Sequence, residues 1–350
     1  MPARLILAYK NMAASSAISH IGLGVSALNT CKVLQKAGYR VEVWAINSPA
    51  DLVARLTAAQ KEVVPVTHLV MSAPWIPLLH WQSLLIQFHR VAFACTSHSN
   101  VGFLGADPLA ANFVTTEGPA LEAGFPNFTL AGNSLAMCRF VREAYASPCT
   151  YLPNLYYLTG MTRVSRPLWQ SGVLRIGCFG AARMLKNQTS AAAASIEIAS
   201  KLRAQLEFYV SAGRNDGMGG SMGRVVQEMI TSCKFARYMP ITWEQWPHFR
   251  RTVGNMHLLM QPSYTESFNV VTADGVAEGV PSVVSSAIDW VPPHWQADAD
   301  DTGDIARVGL ALLRSPDAAQ EGLESLQAYV DIGTGKWINW ILKAAQPTGA

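Results

Sequence analysis

The sequence predicts an α/β protein built from two doubly wound, Rossmann-like domains. Short apolar runs alternate with helical segments along the first half, and a second alternating series begins at Val173. Such alternation is typical of parallel sheets that carry helices on both faces. The chain has 350 residues, whereas one hydrophobic core seldom serves more than about 250–300 residues. We therefore expect two domains, each with a sheet of its own.

Hydrophobic periodicity and turn residues set the bounds of the predicted elements in the first half. The predicted strands are 4–9, 40–46, 68–72, 91–96 and 150–152, and the clearest helices are 23–36 and 132–145. Periodicity is weak over 156–172, which predicts a linker. The first domain is therefore expected to span 1–155.

The same signals define the second domain, which is expected to span 173–325. Its predicted strands are 173–179, 206–211, 236–239, 257–260 and 282–285, and its helices are 189–204, 222–233, 242–253 and 270–278. The final segment, 318–345, has a helical pattern, and Gly333, Thr334 and Gly335 predict a kink in it.

Composition excludes several classes of protein. Half of the residues are hydrophobic and 15% are charged, so the chain can bury large cores and is not disordered. The formal charge of +3 does not indicate a polyanionic partner. Six cysteines occur without a C-x-x-C pair, which argues against a zinc ribbon or a redox dithiol and favours reduced core thiols in a cytoplasmic protein.

No membrane-spanning or secretory segment is predicted. The first residues have the pattern of a strand and lack the long apolar stretch of a signal peptide. The most apolar region, 63–95, is interrupted by prolines, histidines and an arginine, so it is no spanning helix. Trp75 and Trp81 in this region are expected in the core, with a peripheral membrane contact as the alternative.

The most informative segment, 261–281, has the sequence QPSYTESFNVVTADGVAEGVP. Glu266 follows a predicted strand, and Asp274 lies eight positions later in the first turns of a predicted helix. A polar bend separates the two acids. Backbone N–H groups at such a bend and the positive end of a helix can hold phosphate oxygens, and carboxylates accept hydrogen bonds from hydroxyls. This arrangement predicts a site for a sugar joined to a phosphate.

The segment resembles the Glu-x7-Glu signature of the retaining GT-B glycosyltransferases of family four. The family pattern is E-G-F-G, an apolar stretch, a second Glu and a G-x-P ending. This chain has Glu266, Ser267, Phe268 and Asn269, then Asp274, and ends in Gly-Val-Pro. Asn269 stands where Gly is usual. Asp274 stands where Glu is usual, and its carboxylate reaches less far by one methylene.

The resemblance implies two Rossmann-like domains that face a central cleft, with a last helix, 326–350, that packs back on the first domain. It also implies site roles. Glu266 would bind sugar hydroxyls and Asp274 the ribose diol, while the N–H groups near Phe268, Asn269 and Val270, beside Ser267, would hold the β-phosphate. Such enzymes need neither metal nor cofactor, and the donor is a nucleotide-diphosphate sugar.

Three further segments match the family pattern in part. Gly180 begins a stretch that resembles G-R-x-x-x-x-K-N, in which Lys186 keeps its place, Ala181 replaces the Arg, and Arg183 is the local substitute. These cations would stabilise the departing diphosphate. His98 follows a predicted strand where related enzymes carry a histidine that faces the transferred sugar. Gly22 matches the second glycine of a G-G pair that lets backbone approach the ligand.

The acceptor remains open at this stage. A glycan, a lipid or a small metabolite would fit, and so would a hydroxymethylated DNA base, as in virus-encoded DNA glycosyltransferases, which requires base flipping and cations on the phosphates. An epimerase or phosphorylase on the same fold is a second class. The departures at Ile21, Ala181, Asn269 and Asp274 also allow a third, a catalytically degenerate GT-B scaffold.

Overall fold

The computed structural model describes residues 3–11, 21–159, 167–212 and 219–344. Most of the loop before the first helix (12–20), part of the predicted linker (160–166) and the Gly-rich loop (213–218) lie outside the described residues. The chain divides into two compact units. The first comprises Met1–Tyr157 with Val330–Ala350, and the second comprises Leu158–Tyr329.

The first unit contains a six-stranded, all-parallel sheet in the order β2-β1-β3-β4-β5-β6. Its strands are β1 (Arg4–Lys10), β2 (Arg40–Ile46), β3 (His68–Ser72), β4 (Ala92–Ser97), β5 (Phe128–Gly132) and β6 (Thr150–Tyr151). Its helices are α1 (Ile21–Lys36), α2 (Pro49–Ala59), α3 (Leu78–Gln87), α4 (Pro108–Asn112), α5 (Gly118–Gly124) and α6 (Leu135–Tyr145), with a 3-10 turn at Val101–Ala106 and a π turn at Phe113–Glu117.

The second unit contains a five-stranded, all-parallel sheet in the order β11-β10-β7-β8-β9. Its strands are β7 (Val173–Cys178), β8 (Gln205–Ser211), β9 (Ala236–Ile241), β10 (Leu258–Gln261) and β11 (Ser282–Val284). The helices are α7 (Gln188–Leu202), α8 (Gly219–Thr231), α9 (Trp246–Gly254), α10 (Val270–Ala277), α11 (Thr302–Arg314) and α12 (Ala318–Ala344), with 3-10 turns at Met184–Lys186 and Pro293–Trp295.

The two parallel sheets confirm the predicted fold class, because parallel strands joined by helices require crossovers that cover both faces of a sheet. The bounds of β2 and β3 agree with the prediction. Five of the six cysteines are buried free thiols, and Cys233 is half-buried.

The core of the first unit includes Trp81, which is fully buried. Its indole packs edge-on against Phe93 and Phe128, with ring centroids 6.2 Å and 5.4 Å away. Trp75 is half-buried, and the Lys10 ammonium lies 5.5 Å from its ring centroid. A membrane contact through Trp81 is therefore excluded by its burial. Among the described helices, none is long and apolar enough to cross a membrane.

The prediction of one helix over 132–145 was wrong in its first residues. Residues 128–132 form β5, and α6 begins only at Leu135. Ser134 ends the extended stretch because its hydroxyl accepts a hydrogen bond from the Met137 N–H at 3.2 Å, which caps the helix. The apolar run crosses from strand to helix without a break in composition, so periodicity alone merged the two elements.

Helix α12 is continuous through Gly333 and Gly335, where the sequence predicts a kink. Gly333 serves a close approach instead, since a Cβ there would lie 2.7 Å from Leu155 Cδ2 and 2.9 Å from Pro153 Cγ. The part of α12 that belongs to the first unit is held by three hydrogen bonds. They join Trp337 Nε1 to the Pro153 carbonyl (2.8 Å), Trp340 Nε1 to Thr129 Oγ1 (3.1 Å) and His68 Nε2 to the Ile341 carbonyl (3.0 Å).

Candidate functional site

The loop between β10 and α10, together with α10 itself, contains most of the site residues that the sequence predicts. Strand β10 lies between β11 and β7 in the second unit, and the loop leaves it at Gln261. Open parallel sheets bind ligands beyond the carboxyl ends of their strands. The loop therefore lies at the edge of the sheet where a ligand is expected.

Asn269 caps the helix that follows this loop, in a left-handed conformation with φ 61° and ψ 87°. Its Oδ1 accepts the Thr272 N–H at 2.9 Å, and its Nδ2 donates to Gln261 Oε1 and to Glu266 Oε1, each at 3.0 Å. Glycine adopts this backbone conformation without strain, and asparagine tolerates it better than most residues. The Gly-to-Asn departure from the family pattern thus keeps the backbone and adds three hydrogen bonds.

Within the described part of the chain, Lys186, Ser263 and Asn269 each donate to Glu266 Oε1. The Lys186 ammonium forms an ion pair with it, and Ser263 Oγ and Asn269 Nδ2 lie 3.2 Å and 3.0 Å away. The side chains of Glu266 and Lys186 are 12% and 21% exposed. Both charges are therefore partly desolvated yet remain within reach of solvent, as a charged ligand requires.

The loop that carries Lys186 is fixed directly against the loop of Glu266. The Tyr264 N–H donates to the Leu185 carbonyl at 2.9 Å. Asn187, left-handed with φ 54°, donates from Nδ2 to the carbonyls of Pro262 (3.1 Å) and Ala299 (2.7 Å). These contacts bring together two residues that are 80 positions apart in the sequence.

The N-terminus of α10 supplies the predicted backbone donors. Asn269 caps the Thr272 N–H, whereas the N–H groups of Val270 and Val271 make no hydrogen bond within the described part of the chain. Phe268, beside Ser267, is buried, and its carbonyl accepts a hydrogen bond from Trp290 Nε1 at 2.6 Å. Two backbone donors and the positive end of the helix thus remain for an anion.

Two aromatic residues that the sequence does not single out, Trp290 and Tyr329, pack against Phe268 in the loop before α10. The Phe268 ring stacks on Trp290, with centroids 5.5 Å apart, and on Tyr329 at 5.3 Å. Ser325 Oγ in turn donates to the Trp290 carbonyl at 2.5 Å. No local pattern could have found these partners, because the Trp290–Phe268 bond spans 22 residues.

Asp274 lies deeper than the other acid, with 1% exposure. Its Oδ1 accepts a hydrogen bond from Trp246 Nε1 at 2.9 Å. The Arg250 guanidinium lies 5.6 Å from the Trp246 ring centroid and pairs with Glu278 at 2.5 Å. In this structure the Asp274 carboxylate is thus directed to an indole, and its contact with a ribose diol stays a prediction.

Gly180 and Arg183 lie at the carboxyl end of β7. Gly180 has φ 116°, which a residue with a side chain rarely adopts, and its N–H donates to Ser211 Oγ at 3.2 Å. Arg183 is half-buried and directly precedes the 3-10 turn that ends at Lys186. The turn therefore places two cationic side chains on one short loop.

Ser263 also lines a cavity of about 380 Å³ in the second unit. Its wall is rich in hydroxyl groups and is lined by Ser263, Tyr264, Ser285, Ser286, Gln296, Ala297, Asp298 and Ala299. Ser263 connects this wall to Glu266 through its Oγ. Among the described residues, no group of three or more His, Cys, Asp and Glu side chains is placed to hold a metal ion.

His98 follows β4 in the first unit. Its Nδ1 lies 3.2 Å from Asn133 Nδ2, and burial lowers the pKa of the imidazole to about 4. The ring lines a small cavity of about 20 Å³. Gly22 lies in the first turn of α1, and a Cβ there would meet no described atom within 4 Å. Packing against the described residues therefore does not require a glycine at Gly22.

Comparisons with known proteins identify the fold. No protein-family model and no curated protein sequence matches the chain. A solved structure of sucrose-phosphate synthase from Thermosynechococcus elongatus matches with a TM-score of 0.66 and 16% identity, over 97% of this chain and 100% of that one. The fold is that of a GT-B glycosyltransferase.

Two more GT-B structures agree with this assignment. The UDP-forming α,α-trehalose-phosphate synthase from Burkholderia xenovorans matches with a TM-score of 0.64 and 10% identity, over 98% of this chain and 100% of that one. TarM from S. aureus, solved with UDP, matches with a TM-score of 0.58 and 10% identity, over 83% of this chain and 59% of that one. At such identities the similarity concerns the GT-B fold alone.

Proposed function

We propose that the protein is a retaining glycosyltransferase that moves a sugar from a nucleotide-diphosphate sugar to a hydroxyl acceptor. The observation that carries this proposal is the ion pair of Glu266 and Lys186 beside the N-terminus of α10. One carboxylate, one ammonium and two backbone donors that make no hydrogen bond to any described residue meet there. They match the hydroxyls and the phosphates of such a donor.

Each charged group has a distinct task in this proposal. Glu266 accepts hydrogen bonds from sugar hydroxyls. Lys186 and Arg183 stabilise the negative charge that develops on the departing diphosphate, and the N–H groups of Val270 and Val271 bind its β-phosphate. Asp274 binds the ribose diol or orients Trp246 beside it. No metal has a part in these steps.

The reaction exchanges one bond for another at the anomeric carbon. The bond from this carbon to the phosphate oxygen breaks, a bond to the acceptor oxygen forms on the same face, and the acceptor proton passes to the leaving phosphate. This scheme follows from the resemblance to the retaining enzymes. It requires no protein nucleophile, unlike the two-carboxylate scheme of retaining glycosidases.

The names of the structural neighbours suggest which nucleotide to test first. The trehalose-phosphate synthase is UDP-forming, and TarM was solved with UDP. We therefore take UDP as the first probe, with GDP, ADP and dTDP beside it. The acceptor in this proposal is a glycan, a lipid or a small metabolite, and a hydroxymethylated DNA duplex belongs in the acceptor screen as the alternative.

Thermal-shift titration with nucleoside diphosphates tests the site. A ligand that binds only the folded state raises the melting temperature. We expect a shift with one diphosphate in the wild type and an affinity about tenfold weaker in Lys186→Met, which corresponds to about 1.4 kcal/mol. Lys201→Met is the matched control, since Lys201 forms an exposed ion pair with Glu197 at 2.6 Å in the same unit.

Turnover separates the proposal from its rivals. Glu266→Gln should lose at least about a hundredfold in transfer or donor hydrolysis while it still binds the free diphosphate. Wild-type turnover in this variant would remove Glu266 from the site. If no diphosphate gives a thermal shift, the degenerate scaffold is favoured. A free epimerised sugar or a sugar phosphate as the product would favour the epimerase or phosphorylase class.

A further inference from the structure

Hydrogen bonds hold the walls of the cavity beside Ser263 in place. Three segments of the second unit form these walls: 263–264, 285–286 and 296–299. Ser285 Oγ donates to the Ser263 carbonyl, which joins the first two segments. The Ala297 N–H donates to the Val284 carbonyl at 2.8 Å, which fixes the third segment against β11. A ligand that enters such a preformed cavity has little protein freedom to remove.

Tyr264 lines this cavity with an aromatic ring that is held rigidly. The residue is 47% exposed, but its N–H donates to the Leu185 carbonyl at 2.9 Å and its hydroxyl donates to Asp300 Oδ1 at 2.8 Å. Its backbone and the end of its side chain are therefore both fixed. A rigid, exposed tyrosine ring gives a ligand a large contact area at a low cost in conformational entropy.

The polar side chains of the lining can both donate and accept hydrogen bonds. Ser286 is exposed, and its hydroxyl has no partner within the described part of the chain. Gln296 is half-buried, and its Nε2 donates to the Ile288 carbonyl at 3.4 Å. Asp298 is exposed, and its Oδ1 accepts the Asp300 N–H at 3.0 Å, which leaves Oδ2 for a ligand. Sugar hydroxyls, which donate and accept, can bind a hydroxyl, an amide and a carboxylate alike.

The charge and the size of the cavity narrow the class of ligand. Asp298 is the only charged side chain among the described residues that line it, so a phosphate or a carboxylate would meet repulsion and no cation. A pyranose ring instead has an apolar C–H face for Tyr264 and hydroxyls for the polar groups. The volume of about 380 Å³ lies near the lower end of the range of about 300–1,000 Å³ for small-molecule sites, which suits one or two sugar rings.

We propose that this cavity is a subsite for a neutral glycan, in which Tyr264 packs against the C–H face of a pyranose ring and Ser286 and Asp298 bind its hydroxyls. The subsite adjoins the proposed donor site, since Ser263 lines the cavity and its Oγ lies 3.2 Å from Glu266 Oε1. It differs from that site in its ligand, which carries no phosphate. Binding of the glycan does not depend on glycosyltransferase activity.

Saturation-transfer NMR of the full chain with neutral oligosaccharides tests this subsite. The probes are maltotetraose, cellotetraose and fully N-acetylated chitotetraose, which differ in linkage and in the groups that they present. We expect one of them to bind, with the strongest saturation on the protons of one face of a pyranose ring. If none of the three binds, the proposal is overturned.

Two substitutions at Tyr264 separate the ring from its hydroxyl. Tyr264→Ala removes the ring and should weaken binding of the oligosaccharide by about tenfold or more. Tyr264→Phe keeps the ring and loses only the bond to Asp300, so we expect a loss of at most about threefold. Tyr145→Ala is the control, because Tyr145 is 41% exposed and belongs to the first unit. Equal affinity of the wild type and Tyr264→Ala would overturn the proposal.

Two further variants keep the test decisive if Tyr264→Ala does not fold. Ser286→Trp fills the cavity from an exposed position and should abolish binding of the oligosaccharide. Asp298→Asn keeps the shape of the side chain but removes its charge, so a neutral glycan should bind within about threefold of the wild-type affinity. Undiminished binding in Ser286→Trp would contradict the placement of the ligand. Binding of tetramethylammonium in place of every oligosaccharide, and its loss in Asp298→Asn, would show a cation site instead.

Discussion

At the scale of single residues, Asn269 combines a backbone requirement with a side-chain function. The left-handed conformation costs ordinary residues roughly 1–2 kcal/mol, and the side chain caps α10 while it holds Glu266. Glycine would satisfy the first requirement only. The residue therefore couples the position of the carboxylate to the start of the helix.

A pair of substitutions separates the two contributions. Asn269→Gly keeps the backbone relaxed and loses the side-chain bonds, whereas Asn269→Ala loses both. We expect the free energy of unfolding to fall in the order wild type, Asn269→Gly, Asn269→Ala, with about 1 kcal/mol between the two variants. Urea denaturation measures this order. Equal stability of the two variants would mean that the left-handed conformation is not strained for alanine here.

Individual site residues differ in how far the sequence could predict them. Glu266, Lys186 and His98 were singled out because each matches part of the family pattern after a strand, and their roles in a site stay predictions. Trp246 and Asn133 were not found, because their contacts with Asp274 and His98 span 28 and 35 residues. Such contacts depend on which elements are neighbours in space, and a local stretch of sequence does not indicate this.

At the scale of secondary-structure elements, α5 and β5 are joined by a half-buried carboxyl group. Glu122 on α5 accepts a hydrogen bond from the Leu130 N–H on β5. Burial raises the pKa of Glu122 from 4.5 to about 7, although this hydrogen bond opposes the shift. The folded protein thus binds the proton more tightly than the unfolded chain does.

This difference predicts a pH-dependent stability. Between pH 4.5 and about 7 the folded state holds a proton that the unfolded chain has released, so stability falls as pH rises through this window and levels off above it. Glu122→Gln removes the titration but keeps an acceptor for Leu130. We expect the variant to be more stable than the wild type at pH 8, by on the order of 1–3 kcal/mol, and the gain to vanish near pH 4.

Thermal melts of both proteins from pH 4 to pH 8 would measure this gain. Glu143→Gln, at an exposed position on α6, controls for the change in net charge. A gain that is the same at every pH would show that the effect is not the titration of Glu122.

Elements with a strong pattern were predictable, and those without one were not. The alternation of apolar residues placed β2 and β3 correctly. Helix α11 was missed because it follows an acidic stretch that has the composition of a loop. Its N-cap, Asp301, accepts the N–H groups of Gly303 and Asp304 at 2.8 Å and 3.0 Å, and this capping signal was present in the sequence.

At the scale of the whole molecule, the first unit is assembled from two separate stretches of chain. Trp337 is buried in the first unit, and its indole N–H donates a hydrogen bond to the Pro153 carbonyl. The presence of two parallel sheets followed from the alternating pattern and the chain length, whereas the order of the strands within each sheet was not predicted. The specific contacts that place the end of α12 did not follow from any local pattern, since the Trp337–Pro153 bond spans 184 residues.

Trp337→Ala should destabilise the first unit selectively. Loss of a buried tryptophan costs about 3–5 kcal/mol, and here it also leaves the Pro153 carbonyl without its indole partner. Hydrogen exchange followed by mass spectrometry should show faster exchange in β5 and β6 and unchanged exchange in β7 and β8. Leu342→Ala, at an exposed position on the same helix, is the control. Equal acceleration in both sheets would contradict the assignment of this part of α12 to the first unit.

The assembly of the first unit from two stretches has a consequence for the order of folding during synthesis. Domains usually fold as they leave the ribosome, the N-terminal one first. Here residues 1–157 emerge early but lack Trp337, Trp340 and the Ile341 carbonyl that His68 binds. The second unit has all of its residues once Tyr329 has emerged. The first unit therefore begins to be translated first but can complete its folding only last. Its sheet stays incompletely covered while more than half of the polypeptide is still being translated.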